Sequence, residues 1–249
     1  MRLAATVMLA RPAGARFELF MVRRSESSHF VPDAYVFPGG TLSEIDLSER
    51  ALARTRFAPD QRQLRARIAA LTSDVPLATD RELSALAFAA LRELYEEAGV
   101  FFACDASGNA VEDAADTSRA DFLASLERRD LYADARQLAL FSQWLTPPQF
   151  PKRYNTHFFL APAPGGATAA ADAHETHDGI WIAPADALAR NETGDLHLVY
   201  PTIKHLQRLA QFPTLGDLLA FARTKRVLAL SPETLNDGFA LPPALENAW

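Results

Sequence analysis

Apolar positions along the chain fall into short runs first and longer helical periods later. Residues 4–10 and 17–22 are apolar runs of strand length separated by a Pro- and Gly-containing segment, which predicts a β-hairpin or two neighbouring strands. Tyr35-Val36-Phe37 reads as another short strand, and Pro38-Gly39-Gly40 ends it, leaving bare backbone that another group can approach closely. The Arg-, Ala- and Leu-rich stretch 47–78 predicts a helix around 61–71. A stronger helix starts at Thr79. Thr79-Asp80-Arg81-Glu82 has the form of a capping box, Leu83, Ala87, Ala90 and Leu94 follow at helical spacing on one apolar face, and Gly99 is a natural stop. Downstream the pattern predicts a strand from Phe101, an acidic polar loop over 105–117 and a helix over 119–128. Strands at 141–145 and 156–161 follow, on either side of a proline-rich segment. An Ala/Gly loop at 162–173, a strand at 180–182, helices at 202–211 and 215–224, and an irregular Pro-rich tail complete it. There is no internal repeat, and the mixture of strands and helices predicts an α/β domain.

Composition narrows this picture only a little. The 249 residues, 49% hydrophobic and 22% charged, suit one large globular domain or one domain with an appendage. A net charge of −6 speaks against a nonspecific nucleic-acid binder, while leaving room for a local basic pocket. Cys104 is the only cysteine, so no intrachain disulfide forms and a cysteine-based zinc site is not expected, which fits a cytoplasmic protein. The apolar start is broken by Arg11-Pro12 and reads as a strand rather than a signal peptide. No apolar run approaches the roughly 20 residues of a membrane helix. The last four residues, Glu246-Asn247-Ala248-Trp249, carry no peroxisomal tripeptide. These features point away from nucleic acid and from a membrane as partners.

The chemistry concentrates on the helix after Thr79. Glu93, Glu96 and Glu97 stand at i, i+3 and i+4, so all three project from one side. Three like charges this close repel. Spacing alone fits a solvated acidic face, with Arg92 and water screening it. It equally fits a site for hard divalent cations, which take carboxylates together with substrate phosphates and water. A Gly-Gly turn with exposed backbone facing such a helix favours the second reading.

Phe37-Pro38-Gly39-Gly40, Asp46 and Arg92-Glu93-Leu94-Tyr95-Glu96-Glu97-Ala98-Gly99-Val100 together resemble the signature of the Nudix hydrolases. The second half matches at every specified position. The first half departs twice: Asp46 stands where a Glu is usual, and residues 47–91 occupy what is ordinarily a single short spacer. Both departures resemble a subgroup with a long insertion inside the signature, which includes the peroxisomal coenzyme A diphosphatase of animals. Trp144-Leu145-Thr146-Pro147, the run from Arg153 to Ala161, and Trp181-Ile182-Ala183-Pro184 with Ala187-Leu188 resemble that subgroup too.

The resemblance implies a single Nudix domain over 1–249. It would be an α/β/α sandwich with a mixed sheet, an insertion at 47–78 and a C-terminal helical extension at 201–249. It implies Mg²⁺ or Mn²⁺ as cofactor, Glu96 and Glu97 as principal ligands, and Glu93 as a further ligand or a positioner of the attacking water. The Gly40 carbonyl would also face the metal, and Arg92 would hold the helix against the loop by pairing with a carboxylate, with Asp46 as the loop's acidic partner. A further acid would come from a later loop, Glu175 or Asp178, for which solvated loop acids are the alternative. The implied reaction is hydrolysis of a diphosphate in a nucleoside diphosphate-linked substrate. For CoA or acyl-CoA the products would be a 4′-phosphopantetheine species and 3′,5′-ADP. ADP-ribose, a dinucleotide or a nucleotide sugar are alternatives, as is a noncatalytic ligand sensor. Arg23, Arg24 and Arg153 suit phosphate geometrically, with a surface-charge role as the competing reading. His174 and His177 read as loop residues, Cys104 as a structural thiol, and Phe158-Phe159 as sheet core. The 47–78 insertion could be a lid, a specificity element or a homodimer contact.

Overall fold

The computed structural model describes residues 1–25, 32–58, 64–69, 77–111, 121–165, 169–170, 176–235, 238–243, 245–246 and 249. In chain order the first strands are β1 (Arg2–Ala13), β2 (Arg16–Arg24), β3 (Tyr35–Val36) and β4 (Gly39–Thr41). Next come α1 (Glu49–Ala53), β5 (Thr55–Arg56), α2 (Leu64–Arg67), β6 (Ile68–Ala69) and the long helix α3 (Asp80–Ala98). β7 (Ala103–Cys104), β8 (Ala110–Val111), α4 (Phe122–Arg128) and β9 (Tyr132–Asp134) follow, then β10 (Ala139–Leu145), β11 (Tyr154–Pro162) and β12 (Thr176–Ile182). The chain finishes with α5 (Pro184–Glu192), α6 (Tyr200–Leu209), α7 (Leu215–Thr224), β13 (Val227–Leu230), β14 (Glu233–Leu235) and β15 (Gly238–Ala240).

The main sheet runs β12-β2-β1-β11-β10-β13-β6, with β3 added to β2 and β4 to β1. It is mixed. β1 is parallel to β11 and β10 to β13, while the β1–β2, β2–β12 and β10–β11 pairs are antiparallel. The period of two along each strand divides the core between the two faces. Ala5, Val7 and Leu9 of β1 pack with α3, whereas Met8 and Ala10 pack with Leu206 and Leu209 of α6 and Leu218 and Ala222 of α7. The result is the helix–sheet–helix sandwich.

α3 carries the predicted capping box: Thr79 Oγ1 accepts from the Glu82 backbone and Glu82 reaches back to the Thr79 N–H. Gly99, at φ 68°, closes it in the left-handed conformation. The single apolar face expected for this helix understates its burial. Every residue from Ala85 to Leu91 is buried, because Phe122, Leu123 and Leu126 of α4 and Phe101-Phe102 cover the side away from the sheet.

Other expectations are corrected. The helix expected over 61–71 is helical only at Leu64–Arg67 among the described residues, and the chain turns extended at Ile68–Ala69 to join β13. α5, not expected, starts on Pro184 at its first turn. The tail expected to be irregular instead supplies β13, four buried residues inserted in the main sheet, and the β14–β15 hairpin. Among the described residues no helix is long and apolar enough to cross a membrane. The Ala/Gly stretch and His174 fall largely outside the described residues.

Candidate active site in a cleft over the sheet

Arg92 organises the carboxylate end of α3. Its guanidinium makes a two-pronged contact with Asp46, Nε to Oδ1 at 2.8 Å and Nη2 to Oδ2 at 3.0 Å. Its Nη1 reaches Glu96 at 2.8 Å and Glu93 at 2.9 Å. Asp46 is fully buried, and its Oδ2 also accepts from the Ser43 backbone N–H and hydroxyl at 2.8 and 2.7 Å. The shorter acid therefore spans the contact because the 42–46 loop folds tightly enough to bring it in. Burial works against the Arg92 charge, but hydrogen bonding to Asp46 and the charges of Glu93, Asp46 and Glu96 hold its pKa above the ordinary arginine value.

The Gly-Gly pair sits where a Cβ finds no open space. β4 pairs with β1, Gly39 opposite Thr6 and Gly40 opposite Ala5. A Cβ on Gly39 would run into the Ala5 carbonyl and the Thr6 backbone, and one on Gly40 into the Glu93 carboxylate. The Gly39 N–H donates to Glu97 at 2.9 Å. So two of the three helix carboxylates lie directly against this backbone, and the third, Glu96, turns to Arg92.

Burial pushes the Glu93 carboxyl up to about 7; Arg92 opposes this, and the neighbouring Glu96 and Asp46 add to it. Among the described residues no three His, Cys, Asp or Glu side chains form a ready-made metal cage. The donors present are nevertheless hard carboxylate oxygens, one of them desolvated beside other acids, and such a set suits a hard divalent cation.

Glu93, Glu97, Gly39, Gly40 and Arg24 line a cleft of about 690 Å³. Its floor is a row across four strands, Thr41 of β4, Ala4 of β1, Thr156 of β11 and Trp144 of β10, each opposite the next in register. Beyond Trp144 the walls are mostly apolar, formed by Phe150, Phe158, Phe239 and the ring of Tyr200, with Thr146 and Thr202 among them. The described residues of the 47–78 segment contribute nothing to this lining.

The other residues singled out in the sequence are distributed as follows. Arg23 pairs with Asp33 at 2.9 Å, and Arg153 donates from Nε to the Thr146 carbonyl at 3.1 Å; neither lines the cleft. Asp178 is exposed on β12 and accepts from the Tyr35 hydroxyl at 2.9 Å, outside the cleft lining; burial and this bond raise the Tyr35 pKa. Glu175 lies outside the described residues. Cys104 is buried, Phe159 is core, and Phe158 is both core and cleft floor, stacked on His205 at 4.1 Å.

Sequence reasoning missed the aromatic wall. The i, i+2, i+4 alternation of Tyr154, Thr156 and Phe158 was a usable signal for one face of β11. Tyr200 and Phe239 had no local signal, since a helix start and a tail hairpin bring them in from elsewhere.

A family model describing the NUDT19 Nudix domain matches residues 1–209. The acyl-coenzyme A diphosphatase NUDT19 of Gallus gallus is 28% identical, over 96% of this chain and 77% of that protein. The Homo sapiens protein of the same name is 28% identical over 84% of this chain, which spans 65% of its length. Among solved structures, a NUDIX hydrolase from Alicyclobacillus acidocaldarius superposes with a TM-score of 0.68 at 27% identity, covering 88% of this chain and 96% of that one. The capped carboxylate helix, the glycine pair it rests on and these matches agree: the chain belongs to the NUDT19 Nudix domain family and is a Nudix diphosphatase.

Proposed function

We propose that the protein is a Mg²⁺- or Mn²⁺-dependent hydrolase of nucleoside diphosphate-linked substrates, with CoA or acyl-CoA as the substrate. The observation that carries this reading is the placement of Glu93 and Glu97 with the Gly39-Gly40 backbone and Arg24 in one cleft that continues into an apolar chamber. The names of the relatives support the choice of acyl-CoA.

Glu97 and Glu96, the latter paired with Arg92 in this structure, would be the principal ligands of the cation, with the Gly40 carbonyl, and Glu93 would be a further ligand or orient the attacking water. When bound, the cation neutralises diphosphate charge and makes water a better nucleophile. The missing side chain at Gly39 lets β4 lie close on β1, the one at Gly40 lets the Glu93 carboxylate rest against that backbone, and Arg24 faces a phosphate. Arg92 and Asp46 hold the helix against the glycine strand, which fixes the carboxylates in place. Arg23 and Arg153 shape the loops beside the cleft, and of the two later acids Glu175 is the one left to supply a further carboxylate, since Asp178 is engaged by the Tyr35 hydroxyl outside the cleft lining. Water attacks one phosphorus, the bond to the bridging oxygen breaks, and CoA yields 4′-phosphopantetheine and 3′,5′-ADP.

The test is turnover of CoA, acyl-CoA, ADP-ribose, NADH and diadenosine polyphosphates with Mg²⁺ or Mn²⁺, and with EDTA. CoA species should be hydrolysed best and EDTA should stop the reaction; metal-independent or absent turnover overturns the reading. Glu97→Gln keeps an acceptor for the Gly39 N–H, so it should fold normally yet lose at least about a hundredfold in kcat.

A further inference from the structure

The cleft has two chemically different ends, and the sheet register fixes their separation. Gly39, Gly40 and Thr41 lie on β4, whereas Trp144 lies on β10, and β1 and β11 stand between them. Three inter-strand steps of about 4.8 Å place the apolar end roughly 14 Å from the carboxylates. An extended chain advances about 3.5 Å for every three bonds, so an arm of about a dozen bonds covers that distance. The ribose of ADP-ribose and the second nucleoside of a dinucleotide are both shorter and more polar than that.

The apolar end is built from segments far apart in sequence. Phe150 comes from the turn after β10, Tyr200 from the first turn of α6, and Phe239 from the tail hairpin. Phe239 holds the other two together, its ring centroid 5.7 Å from each, at tilts of 34° to Phe150 and 44° to Tyr200. A planar base sandwiched between two rings would hold them roughly 9 Å or more apart, twice the closest centroid distance of an aromatic pair. These rings touch one another instead. They form a wall, not a slot, and a wall suits an aliphatic chain. Phe239 also lies beyond residue 209, where the family match ends.

We infer that Phe150, Tyr200 and Phe239 form the subsite for the acyl group of an acyl-CoA, so that this tail-supplied wall sets the preference for acylated over free CoA. The inference rests on the CoA reading above. Each methylene of the acyl chain laid on the wall should raise kcat/KM by about fourfold. Phe239→Ala removes the central ring and should lower the ratio of kcat/KM for octanoyl-CoA to that for CoA by about tenfold or more. Phe150→Ala, in a different segment, should shift the ratio the same way, and Phe239→Leu, which keeps an apolar surface, should retain most of it. Circular dichroism and thermal melts establish that each variant is folded. Ratios within twofold of the parent protein for both alanine variants overturn this inference while the CoA reading stands. A parent protein that hydrolyses ADP-ribose but no CoA species overturns both.

Discussion

Gly39 and Gly40 are neighbours with different jobs, and the difference is measurable. A methyl group on Gly40 meets the Glu93 carboxylate, the mobile end of a side chain, with its Cδ 2.5 Å away. A methyl group on Gly39 meets the backbone of β1, with Thr6 Cα at 2.7 Å, and backbone inside a sheet cannot step aside. Gly40→Ala should therefore move Glu93 and cut kcat/KM at least about tenfold, with an unfolding free energy within about 1 kcal/mol of the parent. Gly39→Ala should cost about 2 kcal/mol or more in urea unfolding, as overpacking in a fixed frame does. Equal stability losses in the two variants would contradict this division.

At the scale of elements, what could be read from the sequence was what is decided locally. Thr79, Glu82 and Gly99 mark α3 because caps are made within a few residues of the helix end. The Arg92–Glu97 cluster was legible for the same reason, one helix face presenting it. β13 was not. Val227-Leu228-Ala229-Leu230 is a short apolar run that fits several structures, and its partner Gln143-Trp144 lies more than eighty residues upstream. The aromatic wall failed to show for a like cause, since its rings meet only after the tail returns to the sheet. The role of β13 gives a prediction. Residues 226–249 supply both the strand that covers the β10 edge and Trp249, which is 1% exposed and packs 5.4 Å from Trp144 and 5.0 Å from His205. A chain ending at Lys225 leaves that edge unpaired and the α6–α7 core open. It should aggregate or lose cooperative thermal unfolding; a soluble monodisperse protein with the parent melting temperature would show that the tail is dispensable.

The molecule as a whole sets a fully buried histidine on each side of its sheet. His157 of β11 lies on the α3 side, and burial pushes its pKa down to about 4, against a smaller opposing effect of the Asn155 backbone. His205 of α6 lies on the other, bonded to Ser142 and the Pro201 carbonyl, and burial pushes it down to about 3. Unfolded, both titrate near about 6.5. Between pH 6 and 5 the unfolded chain thus binds a proton at each histidine that the folded one refuses, and stability falls as the pH drops. Glu93 works the opposite way. Its folded pKa, raised to about 7, means the folded chain holds a proton there that an unfolded glutamate lacks over the same interval. Two protons lost and one gained leave a net slope of about 1.4 kcal/mol per pH unit. Glu93→Gln removes the offset, so its slope should be about twice as steep, near 2.7 kcal/mol per pH unit. Urea unfolding at pH 6.0, 5.5 and 5.0 reads both slopes. Equal slopes in the parent and Glu93→Gln proteins would mean that Glu93 keeps an ordinary carboxylate pKa, and a flat parent curve would mean that only one of the two histidines refuses its proton in the folded protein.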